Sequence, residues 1–170
     1  MKIKHNILII ILLAVGFTAC SNDETCRKNR YVSMTVAFYK DTINTLNGST
    51  VTLPLTVDSI TIHGLKVDSI LYKNKKNVTA VNLPLNQFAE ESKFVLNSNK
   101  INDTLTVRYT NKYEYLSLEC GNIRVHHIDT AFVTNHFFYK VIIEDPEVNT
   151  STSNASAKTK NIKIHRLIKR

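Results

Sequence analysis

The chain has 170 residues, 43% of them hydrophobic and 21% charged, with a net charge of +8 and only four glycines and three prolines. That length suits one domain with a core of ordinary size. The composition excludes a disordered chain, a collagen-like repeat and a disulfide-dense miniprotein.

The first 19 residues read as a cleaved leader. Lys2 and Lys4 supply a short basic end, Ile7 to Val15 is an unbroken apolar run, and Phe17-Thr18-Ala19 leads to Cys20. This is the secretory pattern, and the run is shorter than the roughly 20 residues a membrane span needs. With Lys2 and Lys4 removed, 20 basic residues face 14 acidic ones, a mature charge of +6. A tether is expected over 20–30 and a β-domain over 31–170.

Strands are expected throughout the mature chain. Val32, Met34, Val36 and Phe38 alternate with Tyr31, Ser33, Thr35 and Ala37. The same period of two recurs in Leu105, Val107 and Tyr109, in Phe137, Tyr139, Val141 and Ile143, and in Ile162 and Ile164. Shorter runs lie at 57–62, 67–72, 78–83, 93–96 and 122–129. Turns are expected at Asn47-Gly48, His63-Gly64, Asn74 to Asn77, Asn97 to Asn102, Asn111-Lys112, Gly121-Asn122 and Asp145-Pro146. Eight to ten short strands at this spacing predict an all-β, antiparallel sandwich of immunoglobulin-like type, with a small β-barrel as the alternative. Residues 149–160 read as a flexible loop before the last strand.

Cys20 stands where the leader would be processed, and setting it aside leaves Cys26 and Cys120 as an even pair in an oxidising compartment. A disulfide between them is expected, with two free thiols as the alternative. Glu114, Leu116, Leu118 and Cys120 share one face of a run over 113–120, so Cys120 is expected to point inward. Tyr113 and Tyr115 lie on the opposite face, as candidate aromatics for stacking on a sugar or packing on a partner.

No nucleophile elbow, zinc-protease helix or phosphate loop occurs, and no cofactor motif is present. His126, His127 and Asp129 come nearest to a metal site, but neighbouring strand residues point to opposite faces and two ligands are too few. Lys73, Lys75 and Lys76 form a small basic cluster. Export argues against a nucleic-acid partner and leaves anionic glycans or headgroups.

Phe17-Thr18-Ala19-Cys20 resembles a bacterial lipobox, and Ser21-Asn22-Asp23-Glu24 resembles the acidic export signal of Bacteroidetes surface lipoproteins. Further along come Asp58 to Leu65, Asp68 to Tyr72, Asn82 to Asn86, Asp103 to Val107, Glu119-Cys120-Gly121 and Asn161 to Ile164. In this order they resemble a Bacteroidetes lipoprotein family that is a domain of unknown function of β-sandwich type. The resemblance implies location and fold, and no catalytic residues. Five of the seven aspartates are followed by Ser or Thr and then an aliphatic or Ala, at Thr42, Ser59, Ser69, Thr104 and Thr130. This resembles the Bacteroidetes O-glycosylation sequon. The same tripeptides also suit Asx-type turns that lead into strands. The expected function is a lipid-anchored, non-enzymatic outer-membrane protein, an accessory subunit docking on another envelope protein. A surface glycan- or ligand-binding module is the alternative.

Overall fold

A computed structural model describes residue 26 and residues 31–44, 48–66, 69–150 and 160–169. The leader, the tether other than Cys26, residues 45–47 with Asn47 of the expected turn, Val67-Asp68, residues 151–159 and Arg170 lie outside them. Eleven strands are present among the described residues, slightly more than the eight to ten expected: β1 (Met34–Ile43), β2 (Thr50–Pro54), β3 (Val57–Gly64), β4 (Ile70–Val78), β5 (Ala80–Leu83), β6 (Glu91–Ser98), β7 (Ile101–Ser117), β8 (Gly121–Val133), β9 (Lys140–Ile143), β10 (Glu147–Val148) and β11 (Ile162–Lys169). They form two sheets that do not close into a barrel, so the sandwich is the correct alternative. One sheet runs β2-β1-β11-β9, with β5 also paired to β1, and the other runs β10-β8-β7-β6-β3-β4.

All pairings but one are antiparallel. β1 and β11 run parallel, with Val36 opposite Ile162 and Phe38 opposite Ile164. These residues alternate with more polar ones, and their apolar set faces the second sheet. Met34, Val36, Phe38, Ile162 and Ile164 meet Ile60, Ile62, Leu96, Leu105, Val107 and Tyr109 in one buried core. Phe138 closes it by stacking on Phe38, ring centroids 5.4 Å apart. The start of β1 is held by Asn161, which is buried and fully bonded. Its Oδ1 accepts from the Thr35 N–H, and its Nδ2 donates to the carbonyls of Asp145 and Glu147.

Several expected turns are strand. Asn111-Lys112 lies inside the 17-residue β7, because the Asn111 side chain is a bonding partner within the sheet and not a chain reversal. Asn97 and Asn102 face each other at the end of β6 and β7. Only Asn99 and Lys100 turn, both at positive φ (51° and 65°), which is the two-residue hairpin geometry matched to strand twist. Gly64 still belongs to β3, and the turn falls at Leu65-Lys66. Asn74 and Asn77 sit within β4 at positive φ (46° and 52°), and the β3–β4 register slips nearby. They roughen an outer strand that also carries exposed Lys73, Lys75 and Lys76, a pattern that discourages edge-to-edge pairing.

The run from Phe137 to Ile143 is strand only from Lys140. Asp103 captures the N–H groups of His136, Phe137 and Phe138, so this stretch bends around a carboxylate and Phe138, not Phe137, becomes the deeply buried ring. Strand β7 stops at Ser117. The hairpin turn is Leu118–Cys120, so Leu118 is exposed at the tip and not on an inward face. Cys120 is buried as expected, and it is bonded to Cys26 with Cα atoms 4.8 Å apart. No helix among the described residues is long and apolar enough to cross a membrane.

Candidate functional site

The β7–β8 hairpin is the longest pairing among the described residues, and its distal half carries two exposed tyrosine rings. Opposite residues in the register share a face, in the order Tyr109–Ile128, Asn111–His126, Tyr113–Arg124 and Tyr115–Asn122. The first pair is core. Toward the turn the same face leaves the sandwich, and Tyr113 and Tyr115 are 70% and 64% exposed.

A loop from the β5–β6 connection is fastened against this face. Asn111 Nδ2 donates to the Ala89 carbonyl at 2.8 Å, and the Tyr109 hydroxyl donates to the Asn86 carbonyl at 2.9 Å. Arg124 Nη1 donates to the Gln87 carbonyl. The loop thereby holds Phe88 outward, 89% exposed. The Arg124 guanidinium carbon lies 5.3 Å from the Phe88 ring centroid and 5.2 Å from that of Tyr113, both within cation–π range. Its Nη2 also donates to the Tyr113 hydroxyl at 2.8 Å. The result is a fixed stack of Phe88, Arg124 and Tyr113, with Tyr115 and the 87% exposed Leu118 toward the tip. Aromatic residues and Arg are the types that dominate binding surfaces. Sequence reasoning found Tyr113 and Tyr115 but missed Phe88 and Arg124. An aromatic in a polar loop was the available signal.

Beneath the stack, His126 is buried. Asn111 Nδ2 is committed to Ala89, so its Oδ1 must accept, and His126 Nδ1 donates to it at 2.7 Å. Burial, and secondarily the Arg124 charge, lowers the His126 pKa and keeps the ring neutral. His127 faces the other way and meets Glu147 at 2.5 Å, while Asp129 accepts from Thr110. The three sequence candidates for metal binding go to three separate partners. Among the described residues no group of three or more metal-ligating side chains converges. A shallow groove of about 530 Å³ beside the stack is lined by Glu91, Arg108, Asp129 and Thr130, among others. Its Glu91 already pairs with Arg108 and Lys93.

On the outer side of the other sheet, Asp41 and His165 form a second buried cluster, with Nδ1 3.0 Å from the carboxylate. Thr52 donates to Asp41 at 2.6 Å and Tyr139 at 2.5 Å. Burial raises the Asp41 pKa, but these hydrogen bonds outweigh it and hold the carboxyl below its ordinary value. Tyr139 is pushed up to about 12, chiefly by its bond to Asp41. His165 Nε2 has no hydrogen-bond partner among the described residues. The pair has the geometry of an oriented imidazole, but no hydroxyl or thiol bonds to Nε2, and the cluster cross-braces β1, β2 and β11.

The five candidate glycosylation sites separate clearly. Asp41 and Asp103, the acidic members before Thr42 and Thr104, are buried and committed to internal hydrogen bonds. Thr42, Ser59 and Thr104 are half-buried within strands, whereas Ser69 and Thr130 are exposed.

A family model described as a family of unknown function (DUF6452) matches residues 59–165, from β3 into β11. No curated protein and no solved structure matches.

Proposed function

Starting from the fact that the chain belongs to this family of unknown function (DUF6452), we propose that it is a Bacteroidetes lipoprotein of the outer membrane. In this reading it is anchored through Cys20, carried to the cell surface by Ser21 to Glu24, and non-enzymatic. It acts as an accessory subunit that docks on another envelope protein. The observation that carries the reading is the Phe88–Arg124–Tyr113 stack. Exposing rings in water is unfavourable by ~25 cal/mol per Å² of apolar surface, yet here three backbone and side-chain bonds hold the loop that presents them. A prearranged surface of this composition loses little conformational entropy when a partner covers it.

The test is cross-linking in intact cells followed by purification of the tagged native protein. One stoichiometric envelope partner is expected, and Arg124→Ala should release it by collapsing the stack. Recovery of the monomer alone, with the protein abundant, would refute the docking role.

The two exposed tyrosine rings, Tyr113 and Tyr115, favour a second reading as a surface glycan-binding module. That reading predicts saturable binding to a polysaccharide array, abolished in Tyr113→Ala.

A further inference from the structure

The lipid anchor and the hairpin tip are joined by a short covalent path. Cys26 is bonded to Cys120, which ends the β7–β8 turn, and the two Cα atoms are 4.8 Å apart. Cys26 lies only six residue steps from Cys20. A chain of that length spans at most about 22 Å when fully extended. Without the disulfide, the first strand would hang from a tether more than twice as long. With it, the anchoring point of the domain is the turn itself.

What the turn presents is apolar. Leu118 is 87% exposed, and Tyr115 follows at 64%. The other end of β7, at Ile101, lies 16 residue steps from Ser117, about 50 Å along the strand.

We infer that the β7–β8 tip, Leu118 with Tyr115, is a membrane-contact surface, and that the sandwich stands on this tip with its β6–β7 turn farthest from the bilayer. The inference rests on the proposed acylation of Cys20. The occupant is a lipid surface because the tether confines the tip to within a few tens of ångströms of the acyl chains. The residues there also suit the boundary, since Leu enters the acyl region and a tyrosine ring settles at headgroup level.

The chain contains no tryptophan, so one indole can report on each end. Leu118→Trp and Ile101→Trp both alter exposed side chains and leave the core intact. The full acylated protein is placed in vesicles of phosphatidylethanolamine and phosphatidylglycerol, with and without acyl-chain bromination. The intact mass of the same sample reports whether Cys20 carries lipid. The expected result is a blue-shifted indole at position 118 whose emission is quenched by brominated lipid, as an interfacial ring's should be, and an unquenched indole at position 101. Absence of quenching at 118 in protein of acylated mass overturns the membrane contact while leaving the anchor standing. Equal quenching at both positions overturns the upright orientation. A mass without acyl chains removes the anchor and this inference together.

Discussion

Asp103→Asn should destabilise the domain far more than its conservative chemistry suggests. The Asp103 carboxylate is fully buried and has two differently used oxygens. Oδ1 accepts from Thr134 Oγ1 and the His136 N–H at 2.9 and 2.8 Å. Oδ2 accepts from the N–H groups of Phe137 and Phe138 at 2.8 and 2.9 Å. Asparagine keeps one acceptor and turns the other into a donor, so two backbone donors would face an amide N–H₂. Each buried donor left unsatisfied costs ~1–3 kcal/mol, and loss of the charge weakens the remaining pair. A total of ~3–5 kcal/mol is expected, at the upper end of single-substitution effects. Urea unfolding followed by circular dichroism measures it, as a lowered midpoint with an unchanged slope. Thr104→Val is the matched control. The structure gives Thr104 a backbone bond, N–H to Thr134 Oγ1, which valine retains, so its cost should stay below ~1 kcal/mol. If Asp103→Asn costs no more than Thr104→Val, the carboxylate does not organise the 134–138 segment and the reasoning fails.

Three further outcomes are expected. Replacing Cys26 and Cys120 with serine should cost ~4–5 kcal/mol on the chain-entropy model for a 94-residue separation; an unfolding midpoint insensitive to reductant would refute it. Stability should fall on both sides of neutrality through the Asp41–Tyr139 pair. The Asp41 pKa is depressed below 3.8, so its contribution is complete above that value and disappears as pH falls through the depressed one. The Tyr139 pKa is raised from 10.0 to about 12, so its contribution is complete below 10 and disappears as pH rises toward 12; Tyr139→Phe should flatten this alkaline loss relative to the parent, and an unchanged alkaline limb would sink the assignment. Glycopeptide mapping of protein from its native host should find sugar at Ser69 and Thr130, the exposed sites, and none at Thr42 or Thr104. A glycan on Thr104 would contradict the structural role of Asp103.

Local alternation made the core strands legible. Met34, Val36 and Phe38, like Leu105 and Val107, obey the period of two because one face meets the core and the other does not. The rule weakened where strands leave the sandwich. In the distal part of β7 the face carrying Tyr113 and Tyr115 is exposed, so large rings stand where alternation predicts polar residues, and the polar pair Asn111-Lys112 reads as a turn. Asn74 and Asn77 signalled irregular backbone correctly, but as bulges in an outer strand. The parallel pairing of β1 with β11 left no local trace, since partners 126 residues apart, such as Val36 and Ile162, share no turn. The same distance hid the Asp41–His165 pair. Within the candidate site, the tyrosines were visible as strand neighbours, while Phe88 and Arg124 come together only because loop 84–90 folds onto the hairpin. The disulfide was legible because cysteine parity is independent of distance.

The placement of β11 has a consequence for how the molecule is made. The last strand lies between β1 and β9, not at a sheet margin, and the buried Ile162 and Ile164 belong to it. The first sheet therefore has a missing centre until β11 arrives. Folding dominated by such distant pairings is slow, and here it waits on β11 as well. A chain that emerges N-terminus first cannot complete this sheet until β11 has emerged, so closure of the sandwich is a late event even though β3 to β8 are available earlier.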